Sequence, residues 1–328
     1  MSNFYLIAIS TIVFFIIYQK KEYIVKKLAL EDVPDQKLKN HKNNTPIIGG
    51  IVFGIVIIFI LFFFIYIKNI LFISILLLSL VFGIIGIVDD IYKVKANLKL
   101  FVTTITLLIF LIFFPELRIK QIFFSDYFLV KNLNFENKII LSIAITILCY
   151  QLLVHAFNMA DGHDGIASLM AITWFTYIYF FKSNFQFLIP VITTSLLFVY
   201  FNLKSKIFLG DSGNYLLSTL LGSLIIYNNN TYKNFLAEEI FILLMLPGID
   251  MLRLFFIRIK NNQNPLIGDR SHLHHFFYKK LSRSKTTSVY FLLFITPIIF
   301  LYFKLLSENY IIVLFFVAYI FIISKFKK

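Results

Sequence analysis

ILFISILLLSLVFGIIGIVDD, residues 70–90, is an unbroken apolar run that stops on two carboxylates, Asp89-Asp90. About 20 residues at 1.5 Å each is what a helix needs to cross the hydrocarbon of a bilayer. The apolar residues do not alternate with polar ones, so the run reads as a helix and not as a barrel strand. Lipid offers no partner to open backbone groups, and these are the two spanning structures it allows. Similar runs recur at 3–19, 47–67, 98–115, 138–157, 165–182, 186–202, 213–228, 237–257, 287–303 and 309–324. The run at 186–202 is the weakest, being short and holding Pro190. Composition agrees, with 59% hydrophobic and 15% charged residues and a mean hydropathy of +0.84. The expectation is an all-α integral membrane protein of about eleven transmembrane helices, in a single domain over residues 1–328.

Charge orients the spans. Lys20, Lys21, Lys26 and Lys27 follow the first run, and no positive charge precedes it. A signal peptide has the reverse order and a small-residue cleavage site. The positive-inside rule then places the N-terminus outside and the C-terminus, Lys325-Phe326-Lys327-Lys328, in the cytoplasm. Under that topology most Lys and Arg fall on cytoplasmic segments, such as 20–46 and 258–285. The net charge of +14 is mostly this bias, with attraction to anionic lipid or substrate, and does not indicate nucleic-acid binding. The one cysteine, Cys149, sits inside an apolar run and reads as a small buried hydrophobe, so no disulfide or thiolate–metal framework is expected.

Four polar groups break the apolar pattern, all on the same side: Asp89-Asp90, the stretch Asn158 to Gly165, Gly210-Asp211-Ser212-Gly213, and Asp269 to His275. Carboxylates beside a bilayer are costly, and repetition on one face marks a site. Asp89 and Asp90 close a helix, where the dipole's negative end disfavours them, so a local structural reason is weak and a bound cation would compensate. Asn158, Asp161 and Asp164 are spaced i, i+3, i+6, which shares a face on a helix, and Gly162 and Gly165 let a ligand approach closely. Asp164 and Asp211 each admit a plainer reading as a cap of the helix that follows. In His272-Leu273-His274-His275 the first and last histidines could share a metal. The abundance of oxygen donors favours a hard cation such as Mg²⁺ elsewhere in the site. With Arg270 nearby, the histidines suit phosphate contacts or proton transfer. Several carboxylates, a divalent cation and cationic donors at a bilayer edge suit phosphoryl transfer between a lipid and a water-soluble partner. A transporter would need ionisable groups spread through the membrane depth, and here they gather at one face.

In the order Thr45-Pro46-Ile47-Ile48-Gly49-Gly50, Asp-Asp, Asn-x-x-Asp-Gly-x-Asp-Gly, Gly-Asp-Ser-Gly and the histidine cluster, the chain resembles the polyprenyl-phosphate N-acetylhexosamine-1-phosphate transferases. The resemblance implies a multi-helix enzyme of the bacterial inner membrane with its active site on the cytoplasmic face. Such an enzyme moves a sugar-1-phosphate from a UDP-N-acetylhexosamine to undecaprenyl phosphate with Mg²⁺ or Mn²⁺, releases UMP, and starts a cell-envelope glycan such as O-antigen. It also implies a homodimer. The His-x-His-His loop is similar to the GlcNAc-1-phosphate branch, and a His-His-His-Phe-Glu loop would mark the phospho-MurNAc-pentapeptide alternative. By matching motif, Asp211 and Asp90 would hold the metal, and one of Asp89 and Asp90 would act as base. Asn158, Asp161 and Asp164 would line the uridine and metal side, with both carboxylates in the catalytic set. Arg270, His272, His274 and His275 would bind the sugar diphosphate, with His274 and His275 also in that set. Lys42 and Thr45 would shape the lipid-phosphate entrance. Ala160, His163 and Asn214 depart from the family's usual residues at their positions.

Overall fold

The computed structural model describes residues 3–33, 44–125, 131–161, 165–264 and 271–327. Lys42, Asp164 and Arg270 of the expected site, with His163, lie outside those residues. In chain order the elements are α1 (Asn3–Gln19), α2 (Lys21–Leu28), β1 (Glu31–Asp32), β2 (Thr45–Pro46), α3 (Gly49–Tyr66), α4 (Ile70–Tyr92), α5 (Ala96–Phe113), β3 (Gln121–Phe123), β4 (Asn132–Asn134), α6 (Ile139–Ala160), α7 (Ile166–Phe181), α8 (Leu188–Asn202), α9 (Gly210–Tyr232), α10 (Ala237–Lys260), α11 (Leu273–Lys280), α12 (Arg283–Tyr302) and α13 (Glu308–Lys327).

Every apolar run lies on a helix, so the all-α reading holds for the bundle. Two short antiparallel pairs, β1–β2 and β3–β4, were not expected from the sequence. Their strands are only two or three residues long, below what a period-2 pattern can reveal. Among the described residues seven helices (α3, α4, α5, α6, α10, α12 and α13) are long and apolar enough to cross a membrane, giving up to eight spans if α1 and α2, bent by 62°, form one. α7 and α8 are apolar but shorter. Large apolar side chains such as Phe59 and Phe62 on α3, and Val317 and Phe321 on α13, stand exposed, as lipid-facing surfaces do. Cys149 is on that outer surface of α6 and is exposed, contrary to the buried role expected of it.

α9 is the polar exception and the centre of the fold. It carries five serines and threonines and three consecutive asparagines, 228–230, yet nearly all of it from Ser212 to Ile226 is buried. It packs against α3, α4, α6 and α7, which screen it from lipid. Its small residues let neighbours approach closely, as membrane helix pairs require. Gly222 lies against the Tyr150 ring, and the Tyr150 hydroxyl hydrogen-bonds Ser223 Oγ at 2.8 Å. The first turn of this helix carries Asp211.

Candidate active site

The first turn of α9 is wedged between α3 and α4 by glycine. A Cβ on Gly49 would lie 2.4 Å from the Leu209 carbonyl, one on Gly50 2.3 Å from Ser212 Cβ, and one on Gly86 2.4 Å from Ser212 Cα. Pro46 O accepts from Phe208 N at 2.8 Å, and Phe208 O accepts from Ile48 N and Gly49 N. The segment Thr45–Gly50 therefore clamps the turn that leads into α9. Thr45 itself is buried in the β1–β2 pair. Gly210 enters the helix at φ +72°, which a side chain would resist.

Asp90 caps this helix from outside. Its Oδ1 accepts from Asp211 N at 2.9 Å and its Oδ2 from Ser212 N at 3.0 Å. The first N–H groups of a helix lack internal partners, and a carboxylate there is favoured by both hydrogen bonding and the dipole. Asp90 thus has a structural reason after all, supplied by a helix that starts 120 residues further along the chain, which local sequence logic could not see. It also means that Asp211 is not the cap of its own helix: no side-chain cap is made at that end from within α9.

Asp89 accepts from Val94 N at 2.9 Å and is ion-paired with Lys99. The Lys99 ammonium also reaches Asp211 Oδ2 at 3.4 Å. Lys99 in α5 therefore bridges the two carboxylates that do not cap. It was missed in the sequence because a lysine just inside a helix near the cytoplasmic face reads as charge bias. The signal available was its distance of one short turn from the Asp-Asp pair. Burial would raise the Asp211 carboxyl, but a hydrogen bond shared with Asp89 and the Lys99 charge hold it below its ordinary value.

Asn158 and Asp161 sit at the end of α6 and meet α9 through Asn214. The Asn214 amide donates to Asp161 Oδ2 at 2.7 Å and to Asn158 Oδ1 at 3.1 Å. Burial pushes the Asp161 carboxyl well above the usual carboxylate range, partly opposed by that hydrogen bond. Beyond the undescribed residues 162–164 the chain resumes at Gly165, at φ +84°, which is the N-cap position of α7. Asn202 fixes that point: its Oδ1 accepts from Gly165 N at 3.0 Å and from Ser168 Oγ at 2.8 Å, and its amide donates to Ile207 O. One buried asparagine thereby ties the loop after α6 to the approach to α9.

The histidine cluster builds around Asp250. This residue lies well inside α10, just after Pro247-Gly248, and is buried there. Its Oδ2 accepts from His272 Nδ1 at 2.9 Å, its Oδ1 from Arg253 and from the Tyr319 hydroxyl at 2.8 Å each, and both from Leu273 N at 3.2 Å. Asp250 therefore both orients His272 and caps α11. His274 is buried with its ring 4.2 Å from that of His275, while the His272 and His275 rings are 6.4 Å apart. Among the described residues His272 and His275 are not part of any group of three or more His, Cys, Asp or Glu side chains that could hold a metal.

Among the described residues no group of three or more His, Cys, Asp or Glu forms a self-contained metal cage. Mg²⁺ does not need one, because it is commonly held by one or two carboxylates and completed by water and substrate phosphates. Asp211, 26% exposed and beside Asp89, offers oxygen donors of that kind. The donor set fits a hard cation of this type. Asp90, with both oxygens on backbone N–H groups, is already committed to α9.

A bundle of apolar helices with a carboxylate–lysine site at one end is the class that fold and geometry define. The family model for glycosyl transferase family 4 matches residues 72–229, from α4 through α9. The phospho-N-acetylmuramoyl-pentapeptide-transferase of Dictyoglomus turgidum is 31% identical over 279 residues, covering 81% of this chain and 84% of that protein. The protein of that name from Staphylococcus saprophyticus is 30% identical over 273 residues, 75% and 80% of the two chains. The undecaprenyl-phosphate alpha-N-acetylglucosaminyl 1-phosphate transferase of Thermotoga maritima is 26% identical over 266 residues, 80% and 77%. The chain belongs to glycosyl transferase family 4.

Proposed function

We propose that the protein transfers an N-acetylhexosamine-1-phosphate, GlcNAc-1-phosphate first among the candidates, from its UDP-sugar to undecaprenyl phosphate, releasing UMP. The observation that carries this reading is the Asp89–Lys99–Asp211 bridge at the end of an apolar bundle, in a chain of this family. Two carboxylates and an ammonium at a bilayer edge supply the parts phosphoryl transfer needs: oxygen donors for a cation, a proton acceptor and a positive charge for the transferring phosphate. Mg²⁺ held at Asp211 would neutralise the diphosphate. Asp89 is the stronger candidate for the base, since Asp90 is occupied by α9. Asn158 and Asp161 would face the nucleoside, and His272, His274 and His275 the sugar diphosphate. Thr45, as part of the clamp on α9, would act on the lipid entrance through that helix.

The GlcNAc reading rests on Ser271-His272-Leu273-His274-His275. A second reading, transfer of phospho-MurNAc-pentapeptide, is favoured by the names of the Dictyoglomus and Staphylococcus relatives. In either case the reading includes eleven crossings of a bacterial inner membrane, the N-terminus outside, the C-terminus inside and the site on the cytoplasmic face. The meeting of the ends of α4 and α6 with the start of α9 is what alternating crossings require. Purified protein incubated with undecaprenyl phosphate and Mg²⁺ should release UMP from one of UDP-GlcNAc, UDP-GalNAc and UDP-MurNAc-pentapeptide. Release from the pentapeptide donor alone would select the second reading, and no release from any would remove both.

A further inference from the structure

We infer that Asn214 is a positioning residue for nucleotide-sugar binding: its one amide group sets Asn158 and Asp161 at a fixed place relative to Asp211. The inference rests on the transferase reading and deepens it.

Asn214 follows Asp211 by three residues on α9, so both side chains project from the same face of its first two turns. Asp211 turns to Lys99 and Asp89, while Asn214 turns to the end of α6. The Asn214 side chain is 1% exposed, and each of its two amide hydrogens has a different acceptor, Asp161 Oδ2 at 2.7 Å and Asn158 Oδ1 at 3.1 Å. Among the described residues no other group donates to the Asp161 carboxylate. Removing the amide would therefore release both candidate nucleoside contacts together and leave a half-buried carboxyl without its donor.

The remaining oxygen, Asn214 Oδ1, is buried and has no hydrogen-bond partner among the described residues. Packing of α6 on α9 does not by itself call for an amide here, since an apolar side chain of similar shape would fill the space with no polar group to satisfy. The amide is present for what its two hydrogens hold. An aspartate in its place would keep the shape, remove both donors and set a second carboxylate against Asp161. A serine would keep a small polar group but has one hydrogen to give, so it could hold one acceptor and not both.

The test is a double-mutant cycle on the full-length protein in detergent, using Asn214→Ala, Asp161→Ala and the double variant. It reads the KM for the nucleotide sugar, the KM for undecaprenyl phosphate, kcat and thermal stability. Asn214→Ala should raise the nucleotide-sugar KM by about tenfold, the scale of a lost buried hydrogen bond. The undecaprenyl-phosphate KM should stay within twofold of the wild type. Adding Asn214→Ala to Asp161→Ala should raise the nucleotide-sugar KM by a smaller factor than Asn214→Ala does alone, because only the hold on Asn158 is left to lose. If Asn214→Ala fails to fold, Asn214→Ser replaces it and should show the same selective rise at smaller size. Effects that multiply in the double variant would overturn the inference, as would a fall in thermal stability with both KM values unchanged. An inert wild type sinks the transferase reading and this role together, whereas an active wild type with independent effects sinks this role alone.

Discussion

Gly86→Ala adds one methyl group on α4, removes no titrating group, and tests whether the position of α9 governs the chemistry. The new Cβ would lie 2.4 Å from Ser212 Cα and 2.6 Å from Asp211 O, both backbone atoms. Carbon atoms rest at about 3.5–4.0 Å, so the first turn of α9 must move by about 1 Å. Overpacking of this kind costs about 1–3 kcal/mol. Alanine returns up to about 1 kcal/mol through its better helix propensity, so the net loss of stability is small, about 0–2 kcal/mol. Activity should respond far more strongly. A displacement of about 1 Å in a positioned catalytic group can lower the rate about a hundredfold, and Asp211 is carried on the turn that moves. The assay is UMP release with varied nucleotide sugar, together with a thermal unfolding curve. Gly248→Ala on α10 is the control, since nothing lies within 4 Å of its added Cβ and it should leave activity unchanged. A folded Gly86→Ala protein with kcat/KM within twofold of the wild type would refute the argument that these glycines fix Asp211.

Lys99→Met leaves Asp89 and Asp211 facing each other without their bridging charge, and kcat should fall at least about a hundredfold, the scale of losing one preorganised charge in a catalytic site; activity near the wild type would reduce Lys99 to a surface cation. Asp211→Asn should abolish turnover at low Mg²⁺ and recover in part at high Mg²⁺, and a Mg²⁺ dependence equal to that of the wild type would remove Asp211 from the metal's ligands. Asp90→Ala takes the cap from two N–H groups of α9 and should lower stability by about 2 kcal/mol, measured by thermal unfolding, before any effect on chemistry is considered; an unchanged unfolding curve would contradict the capping role. Asp250→Asn keeps an acceptor for Leu273 N but weakens the hold on His272 and Arg253, so the KM for nucleotide sugar should rise about tenfold, the scale of one weakened charged hydrogen bond, and unchanged kinetics would return the histidine cluster to a structural role.

The helices were legible because lipid enforces one simple rule, about 20 apolar residues per crossing, and every apolar run obeyed it closely enough to locate a helix. Asp89, Asp90, Asn158, Asp161 and Asp211 stand out in the sequence against apolar neighbours, and the structure gathers these five at the start of α9. What each carboxylate does was not legible. The sequence argued that Asp90 lacks a structural partner, because within α4 it has none; the partner is the start of α9, and only tertiary packing brings it there. Lys99, Asn202 and Asn214 went unassigned for a related reason. Each is an ordinary polar residue in its own segment and acquires a task only through the residues that folding sets against it. Asp250 drew no attention inside the apolar run 237–257, and its task beside His272 depends on a contact across 22 residues.

The way α9 is held ties fold to chemistry. A helix this polar would be unstable facing lipid, and its burial among apolar helices lets it carry Asp211 and Asn214 on its first two turns. Burial then creates a demand, because free N–H groups at a buried helix start need acceptors, and Asp90 meets it. Asp89, its neighbour in the chain, is consequently delivered to the same spot with its carboxylate turned to Lys99 and toward Asp211. Consecutive residues at the end of α4 therefore divide the work: one locks the helix that bears Asp211, and the other faces the space where Asp211 and Lys99 meet. Neither task could move to another residue without moving the helix, which is why the close glycine contacts at Gly49, Gly50 and Gly86 matter as much to the site as its charges do.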